Sequence, residues 1–151
     1  MQYIIPIIAF LGLIVGNIIA KYTKEEIAQG KVYFYASKRL ILFSLAVILS
    51  LTFLWNANAL IFFIIGLIAG KIFKLPYSWL GIALAASINP LLIATLIFVY
   101  GLIDGSENKN YLKCLIAFFI PFSLILTNTP ADLLTKFAAG AILCAAVFGE
   151  Q

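Results

Sequence analysis

Long runs of uncharged apolar residues follow one another along this chain with only short polar breaks, and no other feature limits its fold as tightly. A run of about 20 such residues, rising about 1.5 Å per residue as an α-helix, matches the hydrocarbon thickness of a bilayer. There every backbone N–H and C=O must find its partner within the segment, so helices are the natural way across. The runs predict six spans, over residues 3–20, 40–55, 57–73, 80–103, 111–127 and 131–148. The expected fold is all-α: a polytopic membrane protein, a single-domain bundle of about six transmembrane helices with short loops. Composition agrees, since 64% of the 151 residues are apolar and 11% charged, against about 45–50% and about 25% in soluble domains. A soluble domain of this size cannot shelter that much apolar side chain from water.

Basic residues set the expected orientation. The first connection holds Lys21, Lys24, Lys31, Lys38 and Arg39, the third holds Lys71 and Lys74, and Lys136 opens the last span. Only Lys109 and Lys113 fall on the other side, so the count is eight against two. The positive-inside rule then puts the first, third and fifth loops in the cytoplasm, with both termini outside it, in a multi-pass protein of the cell membrane. The aromatic residues support this: Tyr22, Tyr33, Tyr35, Tyr77 and Trp79 would form the inner belt, and Tyr3, Trp55, Tyr100 and Tyr111 the outer one. The first run reads as an uncleaved anchor, because no basic region precedes it and Gly16–Ala20 offers no clean cleavage site. The net charge of +4 fits orientation and anionic lipid. Nucleic-acid binding is not expected, since no basic stripe with interleaved aromatics lies outside the helix ends.

The first connection is the longest polar stretch. Thr23-Lys24-Glu25-Glu26 has the form of a capping box, and Gly30 is placed to close a short helix over 23–29 in the αL manner. Such a helix would lie on the cytoplasmic membrane face or serve as a docking surface for a partner. Asn56 and Asn58 are expected in one interhelical turn, and Asn128 or Thr129 as a cap for the last span.

Gly12-Leu13-Ile14-Val15-Gly16-Asn17-Ile18 is echoed by Gly66-Leu67-Ile68-Ala69-Gly70-Lys71-Ile72 at an offset of 54. Gly12 with Gly16, and Gly66 with Gly70, form GxxxG strips that let another helix approach closely, which makes them the expected packing faces.

Chemistry is constrained mostly by what is missing. Without histidine the chain lacks the commonest general base and metal ligand. Asp104 and Glu107 fall in an outer loop, Asp132 and Lys136 at the inner edge, and Glu25 and Glu26 in the inner loop. That placement leaves no ionisable residue at mid-depth, which weighs against a carrier with a buried carboxylate, a voltage sensor or an intramembrane aspartyl protease. No enzymatic activity, metal or cofactor is expected. The polar residues left at depth are Ser87, Asn89 and Pro90 in the fourth run, where Pro90 should bend the helix and free a carbonyl. With Asn17 they form the candidate substrate-binding or permeation site, the alternative being that Asn89 bonds a neighbouring helix and Pro90 shapes the bundle. Cys114 and Cys144 fall at similar depth, as small apolar side chains or as a disulfide.

The functional expectation is a small transporter or channel for a neutral or weakly charged solute, acting alone or as a homo-oligomer. The alternative is a non-catalytic membrane subunit or assembly factor packing against partner helices. Its partners are the lipid bilayer and further copies or other membrane subunits.

Overall fold

The computed structural model describes residues 4–52, 56–73, 75–105, 111–125 and 131–148, and every regular element among them is helical. In chain order these are α1 (Ile4–Tyr22), α2 (Lys24–Leu51), α3 (Ala57–Ile72), α4 (Pro76–Ala86), α5 (Pro90–Gly105), α6 (Tyr111–Ile125) and α7 (Ala131–Phe148). Three stretches, Ile4–Tyr22, Gly30–Leu51 and Ala131–Phe148, are long and apolar enough to cross a membrane, and Ala57–Ile72, Pro90–Gly105 and Leu112–Pro121 are shorter apolar helices. The outward faces are apolar too: Ile7, Ile14 and Ile18 on α1, Ile61 and Ile68 on α3, and Leu91 on α5 are all exposed. Continuous apolar surface of that kind drives association in water and is at ease against lipid. The architecture is consistent with a helical membrane bundle.

The fourth run departs from expectation. Instead of one bent span over 80–103, the chain forms two helices that fold back on each other. Ser87, at the C-cap of α4, is extended (φ −77°, ψ 142°), and the Asn89 carbonyl accepts the first bond of α5 from the Ile93 N–H at 3.3 Å. Pro90 is the first residue of α5, a position whose N–H has no intrahelical partner in any case. Its ring also disfavours helical backbone at Asn89, so this proline opens a helix and does not bend one. The reversal is proven by a long-range bond: the Tyr77 hydroxyl donates to Asp104 Oδ2 at 2.9 Å. A continuous helix would hold those two residues about 40 Å apart.

The first connection also differs. α2 runs unbroken through Gly30 for 28 residues, so the separate helix over 23–29 merges into it. Thr23 makes no capping bond to the start of α2, and its hydroxyl donates back to the Ile19 carbonyl of α1 at 3.1 Å. Asn56 caps α3, accepting from the Ala59 N–H at 2.7 Å. Asn128 and Thr129 lie outside the described residues.

Both glycine strips sit at close helix approaches. A Cβ on Gly12 or Gly16 would come within 3.0 Å of backbone at Phe98 or Leu102 of α5, and one on Gly66 or Gly70 would do so at Phe137 or Ala141 of α7. The register rises in step in each pair, so α1 runs parallel to α5, and α3 to α7. Glycine Cα–H groups facing carbonyl oxygens add weak hydrogen bonds to the dispersion gained by close approach. The partners correspond as well: Phe98, Gly101 and Ile103 recur as Phe137, Gly140 and Ile142, all at an offset of 39. Gly101 meets Gly12 and Leu13, while Gly140 meets Phe63 and Leu67. α2 and α4 each pack on both α5 and α7, so they lie between two similar helix pairs.

Candidate functional site

The interior between these pairs is dominated by apolar packing, with Leu45, Leu49, Ile93, Ile97, Ala138, Ala139 and Ile142 all buried. Polar groups are drawn to two levels near its ends. At the level of the middle of α2 and the end of α5, Lys38 Nζ lies 3.0 Å from Asp104 Oδ1 while Tyr77 takes the second oxygen. The side chains of Lys38 and Asp104 are 15% and 10% exposed, so a full ion pair is held with little contact to solvent. Each contact comes from a different helix: Lys38 from α2, Asp104 from the last turn of α5, and Tyr77 from the first turn of α4 behind Pro76. The tyrosine ring is fixed edge-on by Tyr100, with centroids 5.7 Å apart, and by Phe10 at 6.5 Å. A carboxylate met by an ammonium and a phenol has both oxygens engaged, which offsets the cost of taking it out of water.

The second cluster lies at the opposite end and is built from α7. Thr135 Oγ1 donates to the Ala86 carbonyl at the end of α4 at 3.0 Å and lies 2.6 Å from the Ala131 carbonyl. Lys136, fully buried, donates from Nζ to the Ser50 carbonyl at the end of α2. The last carbonyls of a helix have no intrahelical donor, and in lipid they have no water either. Two adjacent side chains of α7 therefore close the ends of two neighbouring helices, with the ammonium also at the negative end of the α2 dipole. The clusters are separated by the span from Lys38 to Ser50, about 18 Å along α2.

These two sites correct the expectation that Asp104 falls in an outer loop and add that Lys136 is buried. Asp104 belongs to α5 and is 7% exposed, and Lys136 is 0% exposed. Tyr77, Trp79 and Tyr100, expected at membrane interfaces, are core residues at 4%, 7% and 4% exposure. The overlooked signal was length: the 24 residues of 80–103 exceed every other predicted span, and Ser87-Ile88-Asn89-Pro90 divides them into two short legs.

The other candidates separate in space. Asn89 is exposed, and Ser87 and Pro90 are partly so, in the turn between α4 and α5. The Ser87 hydroxyl donates to the Leu84 carbonyl at 3.0 Å. Asn17 sits beside Gly105 at the far end of α5, about 24 Å from Asn89 along that helix. The structure does not bring them together. Gly12, Gly16, Gly66 and Gly70 are taken up inside the chain. Cys114 and Cys144 are both buried and form no disulfide, and no group of three metal-ligating side chains occurs among the described residues. Comparison with known proteins finds no protein family, curated protein or solved structure that matches this chain.

Proposed function

We propose that this chain is a small multi-pass membrane transport protein for a neutral or weakly charged solute, gated at one end by Lys38, Asp104 and Tyr77. The observation that carries this reading is the buried ion pair between helices of different parts of the chain. Charged residues inside a membrane bundle are costly, and where they occur they mark solute or ion pathways by default. Separating α2 from α5 would expose the carboxylate and ammonium to a solute as a matched donor and acceptor pair. The alternative of a scaffold for partner helices loses its main feature, since the glycine strips on which it rested are occupied within the chain.

On this reading the hairpin of α4 and α5 adds one reversal to the six-span arrangement, so the ends of successive helices alternate between the two sides, and α4, with 11 residues rising about 17 Å, is a short leg packed inside the bundle. Nine of the ten Lys and Arg residues then fall by chain position on one side, with Lys136 alone nearer the other. That side is the cytoplasmic one, which keeps the start of α1 outside and brings the end of α7 inside. Purified protein reconstituted in vesicles should take up a member of a panel of small polar solutes, and Asp104→Asn should abolish uptake while the protein remains monodisperse. Co-purification with other membrane subunits in fixed ratio, and no uptake by the chain alone, would overturn the reading.

A further inference from the structure

A groove of about 290 Å³ runs between α2 and α7, lined by Arg39, Leu40, Phe43, Ala146 and Val147. Its composition is divided: four apolar side chains form the walls and one guanidinium stands at the end nearer the start of α2. That guanidinium is oriented. Arg39 Nη2 donates to the Tyr35 hydroxyl one turn earlier, and its carbon lies 4.4 Å from the Tyr35 ring centroid. A planar fork of five donors fits a phosphate bidentately, and Tyr35 holds it at a set height above the apolar walls. The flank of α2 continues the pattern, because Lys31, Tyr35, Arg39 and Phe43 recur every four residues and so share a face. Lys31 is exposed about 12 Å beyond Arg39.

We infer that this groove binds an anionic phospholipid, its phosphate on Arg39 and one acyl chain along Leu40, Phe43, Ala146 and Val147. The order of groups along the groove, cation and aromatic above and apolar below, is the order of headgroup, interface and acyl region in a leaflet. The charge selects an anionic headgroup over a zwitterionic one. Occupancy in cells follows from the basic end facing the cytoplasmic leaflet, as proposed above. Reconstituted bilayers offer lipid on both faces, so the site is tested independently of orientation and of transport.

The test measures restraint of spin-labelled phosphatidylglycerol and phosphatidylcholine by the protein in phosphatidylcholine bilayers. The wild type should prefer the anionic label about fivefold, the preference expected from one basic side chain near an anionic headgroup. Arg39→Gln should bring the two labels near parity, and Lys71→Gln, on α3 at the same end, should leave the preference intact. Val147→Trp fills the groove from a position 52% exposed. It should weaken restraint of the anionic label without changing charge, even where Arg39→Gln unsettles α2. Equal restraint of both labels by the wild type would overturn the inference. So would an equal loss in Lys71→Gln and Arg39→Gln, which would indicate a diffuse basic surface. Displacement of the label by millimolar inorganic phosphate, with no effect of Val147→Trp, would identify a free-phosphate site and overturn it too.

Discussion

Lys38 and Asp104 are separated by 66 residues of chain and by 3.0 Å in space, and that contact ties α2 to the closing turn of α5. An ion pair this sheltered is weak evidence for stability as a whole, yet removing one partner leaves the other charge uncompensated. Asp104→Asn should therefore lower stability by about 3 kcal/mol, read as a loss of melting temperature in detergent. The double variant Lys38→Met with Asp104→Leu should recover most of that loss. If transport depends on the pair, the double variant is stable and inactive, a combination that separates function from folding.

The glycines give a prediction with two signs. Gly66→Ala pushes a methyl against the Phe137 carbonyl, which belongs to backbone and cannot yield. Overpacking of that kind costs about 1–3 kcal/mol. In Gly30→Ala the nearest atom is a ring carbon of Phe34 at 3.1 Å, which moves by a small side-chain rotation. Because Gly30 sits inside α2, alanine should stabilise by about 0.5–1 kcal/mol. Had Gly30 ended a helix in the αL conformation, the same change would destabilise, so denaturation in micelles distinguishes the two arrangements.

Those glycines were also the most readable feature of the chain. Their spacing and repetition in Gly12–Gly16 and Gly66–Gly70 identify a close-packing face without reference to any partner, and the structure uses all four that way. Which helix would fill the face was not readable, because Phe98 and Phe137 lie 86 and 71 residues further on and only the three-dimensional register pairs them. The helical class followed from apolar run length. The reversal at Asn89 did not, because Pro90 in an apolar run has two outcomes, a bend or a new first turn, and tertiary packing chooses between them. Once that choice is missed, Asp104 falls into a loop and the polar cluster cannot be found.

The extra reversal has a direct topological consequence. With native Cys114 and Cys144 replaced by alanine, single cysteines at Ile88 and at Leu112, both exposed, should label from opposite sides of sealed vesicles. Leu112→Cys should share its side with a cysteine at Lys21, and Ile88→Cys should share its side with one at Asn58. A single span over 80–103 would put Leu112 on the side away from Lys21. Labelling of Leu112 and Lys21 from opposite faces would restore the six-span arrangement.

The α7 cluster makes a local prediction. Thr135 and Lys136 bond the terminal carbonyls of α4 and α2, so their loss should be felt at those two helix ends before it is felt elsewhere. Thr135→Val keeps the shape and removes the donor, leaving the Ala86 carbonyl unsatisfied in an apolar setting, at a cost of about 1–1.5 kcal/mol. Hydrogen exchange at the last turn of α4 should accelerate about tenfold, the rate equivalent of that cost when opening is local. Lys136→Met should do the same at the last turn of α2 and leave α4 unchanged. It should cost less overall than Asp104→Asn, because a methionine of similar reach removes the buried charge together with its bond and strands no opposite charge. Acceleration spread evenly over all helices in both variants would mean that these side chains support the bundle globally, and the assignment of each to one helix end would fail.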